Sequence, residues 1–214
     1  MSLRLLYGGT FDPVHTGHLA LARSARDALA ANLHFLPAAD PPHRGQTGAS
    51  GEQRAAMLAL AIAGERGFSL DRRELARPGP SYTVDTLSEL RDELGPAAPL
   101  AWLLGADAFR GLPSWHRWPR LFELAHFVVA VRSGHGLDAL PAALAEAAEG
   151  RWTDAPPALS EAPAGRLFRL AFSPRPESAS AIRQALAAGG GDRGWLSPAV
   201  AGYIRDHRLY RRAV

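Results

Sequence analysis

The sequence predicts an α/β fold: a doubly wound, Rossmann-like parallel sheet with helices on both faces and a C-terminal helical segment. Three observations carry this. The strand candidates are short, wholly apolar runs such as residues 100–104 and 127–131, the composition of strands covered on both faces. Helical stretches separate them, which is the pattern of βαβ units. The first apolar run ends in Gly8-Gly9 just ahead of a helical stretch, and sheets of this kind bind ligands beyond the carboxyl ends of their strands.

In chain order, residues 3–7 form a short strand stopped by the two glycines. Residues 17–31 place Leu19, Ala22, Ala25, Ala28 and Leu29 at helical spacing. Residues 33–36 form a second strand, ended by Pro37. Residues 40–51 contain Pro41-Pro42 and three glycines and read as a loop, expected to be mobile without ligand and to order over phosphates. Residues 52–63 are helical with Met57, Leu58 and Ile62 on one side, and residues 68–70 are a brief strand. A helix over residues 83–94 is closed by Gly95-Pro96, a glycine-then-proline stop. Strands follow at 100–104 and 127–131, a helix at 137–148, a Pro- and Ala-rich surface loop at 151–165 and a last strand at 167–172. Helices at 179–188 and 198–206 flank a flexible joint, Gly189-Gly190-Gly191. The 214 residues read as a single domain with a helical subregion from about 179 onward.

Composition sharpens the functional classes. With no cysteine there is no disulfide, thiolate metal site or Cys nucleophile. With no lysine there is no Walker A loop, no Schiff base and no covalent Lys–nucleotide intermediate. The net charge is +3 and the pI about 9.9, a weak pointer to anionic ligands. The arginines are spread among acids along most of the chain, which argues against a nucleic-acid partner. No apolar run reaches the length of a membrane span, and the N-terminal run is too short for a signal peptide, so a cytoplasmic protein is expected. Nothing in the sequence specifies an oligomeric state.

The chemistry concentrates at the first strand–turn–helix, Gly8-Gly9-Thr10-Phe11-Asp12-Pro13-Val14-His15-Thr16-Gly17-His18. Two glycines allow close approach of a ligand to the backbone. The helix start offers N–H groups and a positive dipole end to an anion. His15 and His18, three apart, share one face of the first turn. A late stretch, Glu177-Ser178-Ala179-Ser180-Ala181-Ile182-Arg183, supplies a second helix start capped by Ser178 or Ser180, with the Arg183 fork suited to phosphate oxygens. Alone, each has an ordinary structural reading: His15 and His18 as helix-start residues, Asp107 as a helix cap, and the aromatic residues near 115 as surface anchors. Arg54, Arg110, Arg117 and Arg132 read as surface charge, and His34, His126, His135 and His207 as structural or solvent-facing.

The first stretch resembles the G-x-F-D-P-x-H-x-G-H signature of the nucleotidyltransferase α/β-phosphodiesterase superfamily, and the late stretch resembles its I-S-[ST]-T-x-I-R motif, with Glu177 in place of the leading apolar residue. Further stretches are similar to bacterial nicotinate-nucleotide adenylyltransferases over nearly the whole chain. These are Pro41-Pro42-His43-Arg44, the Asp71/Arg73/Glu74 segment, Pro80-Ser81-Tyr82-Thr83, Gly105-Ala106-Asp107, Trp115, Gly202-Tyr203-Ile204-Arg205 and Leu209-Tyr210. His116 stands where some members have Tyr.

The resemblance implies adenylyl transfer from ATP to nicotinate mononucleotide, in NAD biosynthesis, with Mg²⁺ carried on ATP and no protein metal site. The nucleophile is then a phosphate oxygen already ionised at neutral pH, so positioning and charge stabilisation do the catalysis, without a general base. The resemblance assigns His18 to the α-phosphate, His15 to the triphosphate, and Arg183 with the Ser180 helix start to the β- and γ-phosphates. Gly8, Gly9, Thr10 and Phe11 form the phosphate turn, and His43 and Arg44 lie on the loop. Gly105 and Asp107 are placed at the ribose. Tyr82, Thr83 and Trp115 bracket the pyridine ring, with N–H groups for its carboxylate. Two other readings compete: preference for nicotinamide mononucleotide, and a non-catalytic nucleotide-binding regulator.

Overall fold

In the computed structural model, which describes residues 2–39, 48–131, 137, 140–173 and 175–211, the apolar runs are strands and the intervening stretches are helices. The strands are β1 (Arg4–Gly9), β2 (Asn32–Pro37), β3 (Phe68–Leu70), β4 (Leu100–Gly105), β5 (His126–Val131), β6 (Trp152–Thr153) and β7 (Leu167–Ala171). The longer helices are α1 (Thr16–Leu29), α2 (Gly51–Ile62), α4 (Thr83–Leu94), α7 (Ala142–Ala148), α9 (Ala179–Ala187) and α10 (Pro198–Asp206). The short ones are α3 (Arg73–Ala76), α5 (Ala106–Arg110), α6 (Leu121–Leu124) and α8 (Ala158–Glu161).

Every strand pairing is parallel, in the order β3-β2-β1-β4-β5-β7-β6. Side chains alternate across the sheet and both faces are buried. Leu5, Leu33, Phe35, Leu103 and Val128 pack with Leu19, Ala22 and Leu29 of α1, Met57 and Leu58 of α2, and Val200 and Ile204 of α10. On the other face Leu6, Leu36, Trp102, Leu104 and Val129 meet Val84, Leu87 and Leu90 of α4 and Leu144 of α7. This is the doubly wound arrangement, with the C-terminal helices on the α1 face.

The strand order reverses between β1 and β4, and the ladder there is short. β1 pairs with β2 from Arg4 to Gly9, but with β4 only from Arg4–Leu100 to Leu6–Trp102. Beyond Leu6 the two strands part at their carboxyl ends and leave a crevice, where ligands of such sheets bind.

Three expectations shift. The helix expected over 137–148 begins at Ala142, after Pro141. The expected surface loop 151–165 contains β6, which extends the sheet beside β7, and α8, whose Leu159 is fully buried. Of the expected 40–51 loop, residues 40–47, with His43 and Arg44, lie outside the described residues.

Candidate active site

Two cavities meet at the crevice. The first, about 480 Å³, is lined by the β1 turn (Gly8, Gly9, Thr10, Phe11, Asp12), by Glu74, Ser81, Tyr82 and Thr83, and by Trp102, Gly105, Trp115 and His116. The second, about 610 Å³, is lined by His15, Gly17, Leu21, Ala106, Asp107, Arg110, Val131, Phe172, Arg175 and Glu177. Tyr7, His18 and Gly105 border both, so His18 stands at the junction.

The β1 turn is shaped by packing. A Cβ on Gly8 would sit 2.1 Å from the Trp102 indole. Gly8 is therefore required by the indole that floors the cavity, not only by ligand approach. Phe11 takes a left-handed backbone, φ 51°, at a cost of about 1–2 kcal/mol. The cost is offset by its buried ring, which packs edge-on to Tyr7, Phe35 and His18. That ring holds His18 from one side, and His15 stacks on the other with centroids 3.7 Å apart.

The start of α1 is more closed than its sequence suggests. Thr16 N–H donates to the Trp195 carbonyl (2.8 Å) and His18 N–H to the His15 carbonyl (3.0 Å). His15 N–H donates to His18 Nδ1 at 3.3 Å. The buried His15 Nδ1 faces the same turn without a hydrogen bond of normal geometry. Burial lowers the His15 pKa to about 4, with the Glu177 carboxylate opposing, so the ring is neutral at pH 7. The anion donors here are imidazoles rather than a row of free backbone N–H groups.

The start of α4 differs. Tyr82 occupies the cap position and no side chain caps the helix. Asp85 and Thr86 N–H donate to the Tyr82 carbonyl, while Thr83 and Val84 N–H have no acceptor among the described residues. The Tyr82 ring lies 4.5 Å from that of His116 at the cavity wall, so His116 is an aromatic partner in the first cavity.

The late motif docks onto the early one. Ser178, not Ser180, caps α9, accepting from Ala181 N–H at 3.4 Å; Ser180 is exposed. Glu177 accepts from the Thr16 hydroxyl (3.0 Å) and from Arg175, and Arg175 first of all holds its pKa down to about 2. The acid in place of an apolar residue thus ties α9 to α1. Arg183 donates to the Asp12 carbonyl at 2.6 Å, at the phosphate turn, and lines neither cavity. Asp107 is the second residue of α5, not its cap; its exposed carboxylate pairs with Arg110 (3.1 Å) on the wall of the second cavity.

Comparison with known proteins follows this geometry. Residues 6–185 match the family model described as Cytidylyltransferase-like. The "Probable nicotinate-nucleotide adenylyltransferase" of Stenotrophomonas maltophilia (strain K279a) is 59% identical, over 99% of this chain and 98% of that one. The protein of the same name from Laribacter hongkongensis (strain HLHK9) is 51% identical, over 96% and 93%. The chain belongs to the nicotinate-nucleotide adenylyltransferase family. It is a nucleotidyltransferase. The fold is shared with Plasmodium falciparum nicotinic acid mononucleotide adenylyltransferase, solved complexed with NaAD, at TM-score 0.71 and 17% identity over 98% of both chains.

Two buried groups at the site escape the sequence reading. Arg54 is fully buried, and its guanidinium donates to the carbonyls of Thr10 (2.7 Å), Ala39 (3.0 Å) and Ala49 (3.3 Å). It is not surface charge. The signal was its phase, in step with Met57, Leu58 and Ile62 on the buried stripe of α2. Asp12 is the second: it accepts from Gly48 N–H (2.8 Å), Ala49 N–H (3.1 Å) and the Tyr210 hydroxyl (2.7 Å). The pair fixes the phosphate turn to α2 and to the C-terminal segment.

Proposed function

We propose that the chain transfers the adenylyl group of ATP to nicotinate mononucleotide, giving nicotinate adenine dinucleotide and pyrophosphate, and that the two cavities divide the substrates. The observation that carries this reading is the meeting of two nucleotide-sized cavities at His18. ATP takes the second cavity, with its ribose near Asp107 and Gly105 and its α-phosphate at His18. The mononucleotide takes the first, with its ring between Tyr82 and Trp115 and its carboxylate on the Thr83 and Val84 N–H groups.

A phosphate oxygen of the mononucleotide attacks the α-phosphorus, the bond to the β-phosphate oxygen breaks, and pyrophosphate leaves. The attacking oxygen is already ionised, so no base is assigned. Burial keeps Tyr7 protonated and His15 neutral, which suits hydrogen-bond donation rather than proton transfer. His18 steadies charge at the transferring phosphoryl group, and His15 buttresses it and reaches the triphosphate. Arg183 and the α9 start, including Ser180, neutralise the β- and γ-phosphates. The phosphate turn of Gly8, Gly9, Thr10 and Phe11 aligns the attacking phosphate, with His43 and Arg44 joining from the loop. Mg²⁺ enters as the counter-ion of ATP.

The test is pyrophosphate release from ATP with nicotinate mononucleotide, nicotinamide mononucleotide and phosphopantetheine side by side. The acid mononucleotide is expected to give the highest kcat/KM. An amide in place of the carboxylate leaves N–H donors unpaired, at about 1–3 kcal/mol each. Equal kcat/KM for acid and amide would overturn the carboxylate assignment. Release with phosphopantetheine alone would overturn the substrate class.

A further inference from the structure

The wall of the first cavity holds a carboxyl group that the reaction described above does not use. Glu74, on the short helix α3, is only 5% exposed and lines the cavity beside Ser81, Tyr82 and Thr83. The Thr86 hydroxyl donates to Glu74 Oε1 at 2.8 Å and itself accepts from Arg77 Nη1 at 3.2 Å. The Ser81 hydroxyl also faces the Glu74 carboxyl closely enough to hold its pKa down, while its oxygen accepts from Ala39 N–H at 2.9 Å. Ser81 and Thr86 lie on either side of Tyr82–Thr83, so one carboxyl grips both sides of the uncapped α4 start.

We propose that Glu74 is a positioning residue for acid recognition: through Ser81 and Thr86 it fixes the Thr83 and Val84 N–H groups where a pyridine carboxylate must sit. The inference rests on the carboxylate assignment proposed above. Three features of the structure favour it. A helix start without a cap frays unless something else holds it. Here the hydrogen bonds that hold the turn come from outside the helix and leave its N–H groups free. The same network reaches Ala39, next to Ala38 of the cavity lining, so the α4 start is also tied to the end of β2. Burial raises the Glu74 pKa, with the two hydroxyls and Arg77 opposing. A buried carboxyl next to an anion-binding turn is a liability, and here the Thr86 hydroxyl donates to it.

The experiment compares wild type and Glu74→Gln for KM of nicotinate mononucleotide, nicotinamide mononucleotide and ATP, with kcat for each pair. Gln keeps the shape but has one acceptor oxygen in place of two, with an NH₂ donor where the second stood. The expected result is a rise of about tenfold in KM for the acid, the scale of one buried hydrogen bond. The amide and ATP values, and kcat, should stay within about twofold, so that the acid-to-amide preference falls by the same tenfold. A merely structural role would raise all three KM values together. Thr86→Val, which removes the second donor at nearly constant volume, carries the same comparison if Glu74→Gln does not fold. A wild-type preference that both variants preserve, or a uniform rise in all KM values, overturns the inference alone. A wild-type enzyme without acid preference overturns the carboxylate assignment and this inference with it.

Discussion

The starts of α1 and α4 both open onto the crevice, and they are built in opposite ways. At α1 the backbone donors are largely used: Thr16 N–H binds Trp195 and His18 N–H binds His15, leaving Gly17 N–H alone without an acceptor among the described residues. Two stacked imidazoles stand over it. At α4 no side chain caps the helix and the Thr83 and Val84 N–H groups are free. The helices α2 and α10, which give no residue to either cavity, and α9, which gives the first only Ala179, are capped by Ser50, Ser197 and Ser178. The longer helix α7 also lacks a side-chain cap and gives no residue to either cavity, so it is the place of the α4 start on the cavity wall, and not the missing cap alone, that suits a ligand anion. On the proposed mechanism the difference separates two tasks: charge that changes during reaction would meet side chains at α1, and a fixed carboxylate would meet backbone at α4.

The largest expected effect removes the α1 half. His18→Ala should fold normally and lose about 10²–10³-fold in kcat, the scale of one contact to developing charge. If the two starts act separately, the ratio of kcat/KM for acid and amide mononucleotides stays as in wild type. Steady-state kinetics with both substrates check this. A near-wild-type kcat would remove His18 from the mechanism, and a changed ratio would show that the two halves are one unit.

His15 gives the α1 start a pH signature that α4 lacks. Its folded pKa is about 4, against about 6.5 in an unfolded chain. Between these values the unfolded chain binds a proton that the folded chain does not. Stability from this group is therefore present above about pH 6.5 and lost as pH falls toward 4, about 3 kcal/mol in all. Half-buried His34 and buried His126 are shifted the same way, so they add to the wild-type slope. His15→Asn should flatten that slope by the His15 share, read by urea unfolding at pH 4.5 and 7. An unchanged difference between the two pH values would mean that His15 titrates normally.

Much of this was legible beforehand, for physical reasons. Buried parallel strands are apolar on both faces, so β1, β4 and β5 stand out as apolar runs, β2 and β7 remain legible although His34 and Arg169 interrupt them, and α1, α2 and α4 carry a full apolar stripe. The helices α3, α5, α6 and α8 have four or five residues each, too few for a period of 3.6 to register. β6, two residues at the sheet edge, is held by its partner and not by its own composition. At the site, the residues that would touch substrate sit in contiguous motifs. What holds those motifs in place does not show in them: Arg54 lies outside every motif and acts across 44 positions, and Asp12 with Tyr210 and Glu74, though each lies in a motif, act across 198 and 12 positions. Contacts of that span are set by tertiary packing, and a charged residue inside it looks in the sequence like any other surface charge.

The smallest effect is the sharpest test of the bare α4 start, because it adds a cap there. Tyr82→Ser and Tyr82→Ala both lose the ring that faces His116, so their difference isolates one hydroxyl. At a cap position Ser accepts from the second or third helical N–H and is worth about 1 kcal/mol over Ala. Tyr82→Ser should therefore be the more stable of the two by that amount. That hydroxyl oxygen would stand within the turn, where it takes the Val84 N–H directly or faces the carboxylate that the Thr83 and Val84 N–H groups are proposed to hold. KM for nicotinate mononucleotide should then be about threefold to tenfold higher in Tyr82→Ser than in Tyr82→Ala, the equivalent of about 1 kcal/mol. KM for ATP and for nicotinamide mononucleotide should be the same in both. Greater stability with equal KM for the acid would mean that the cap forms and costs the ligand nothing, and the free N–H groups of α4 would then have no part in binding.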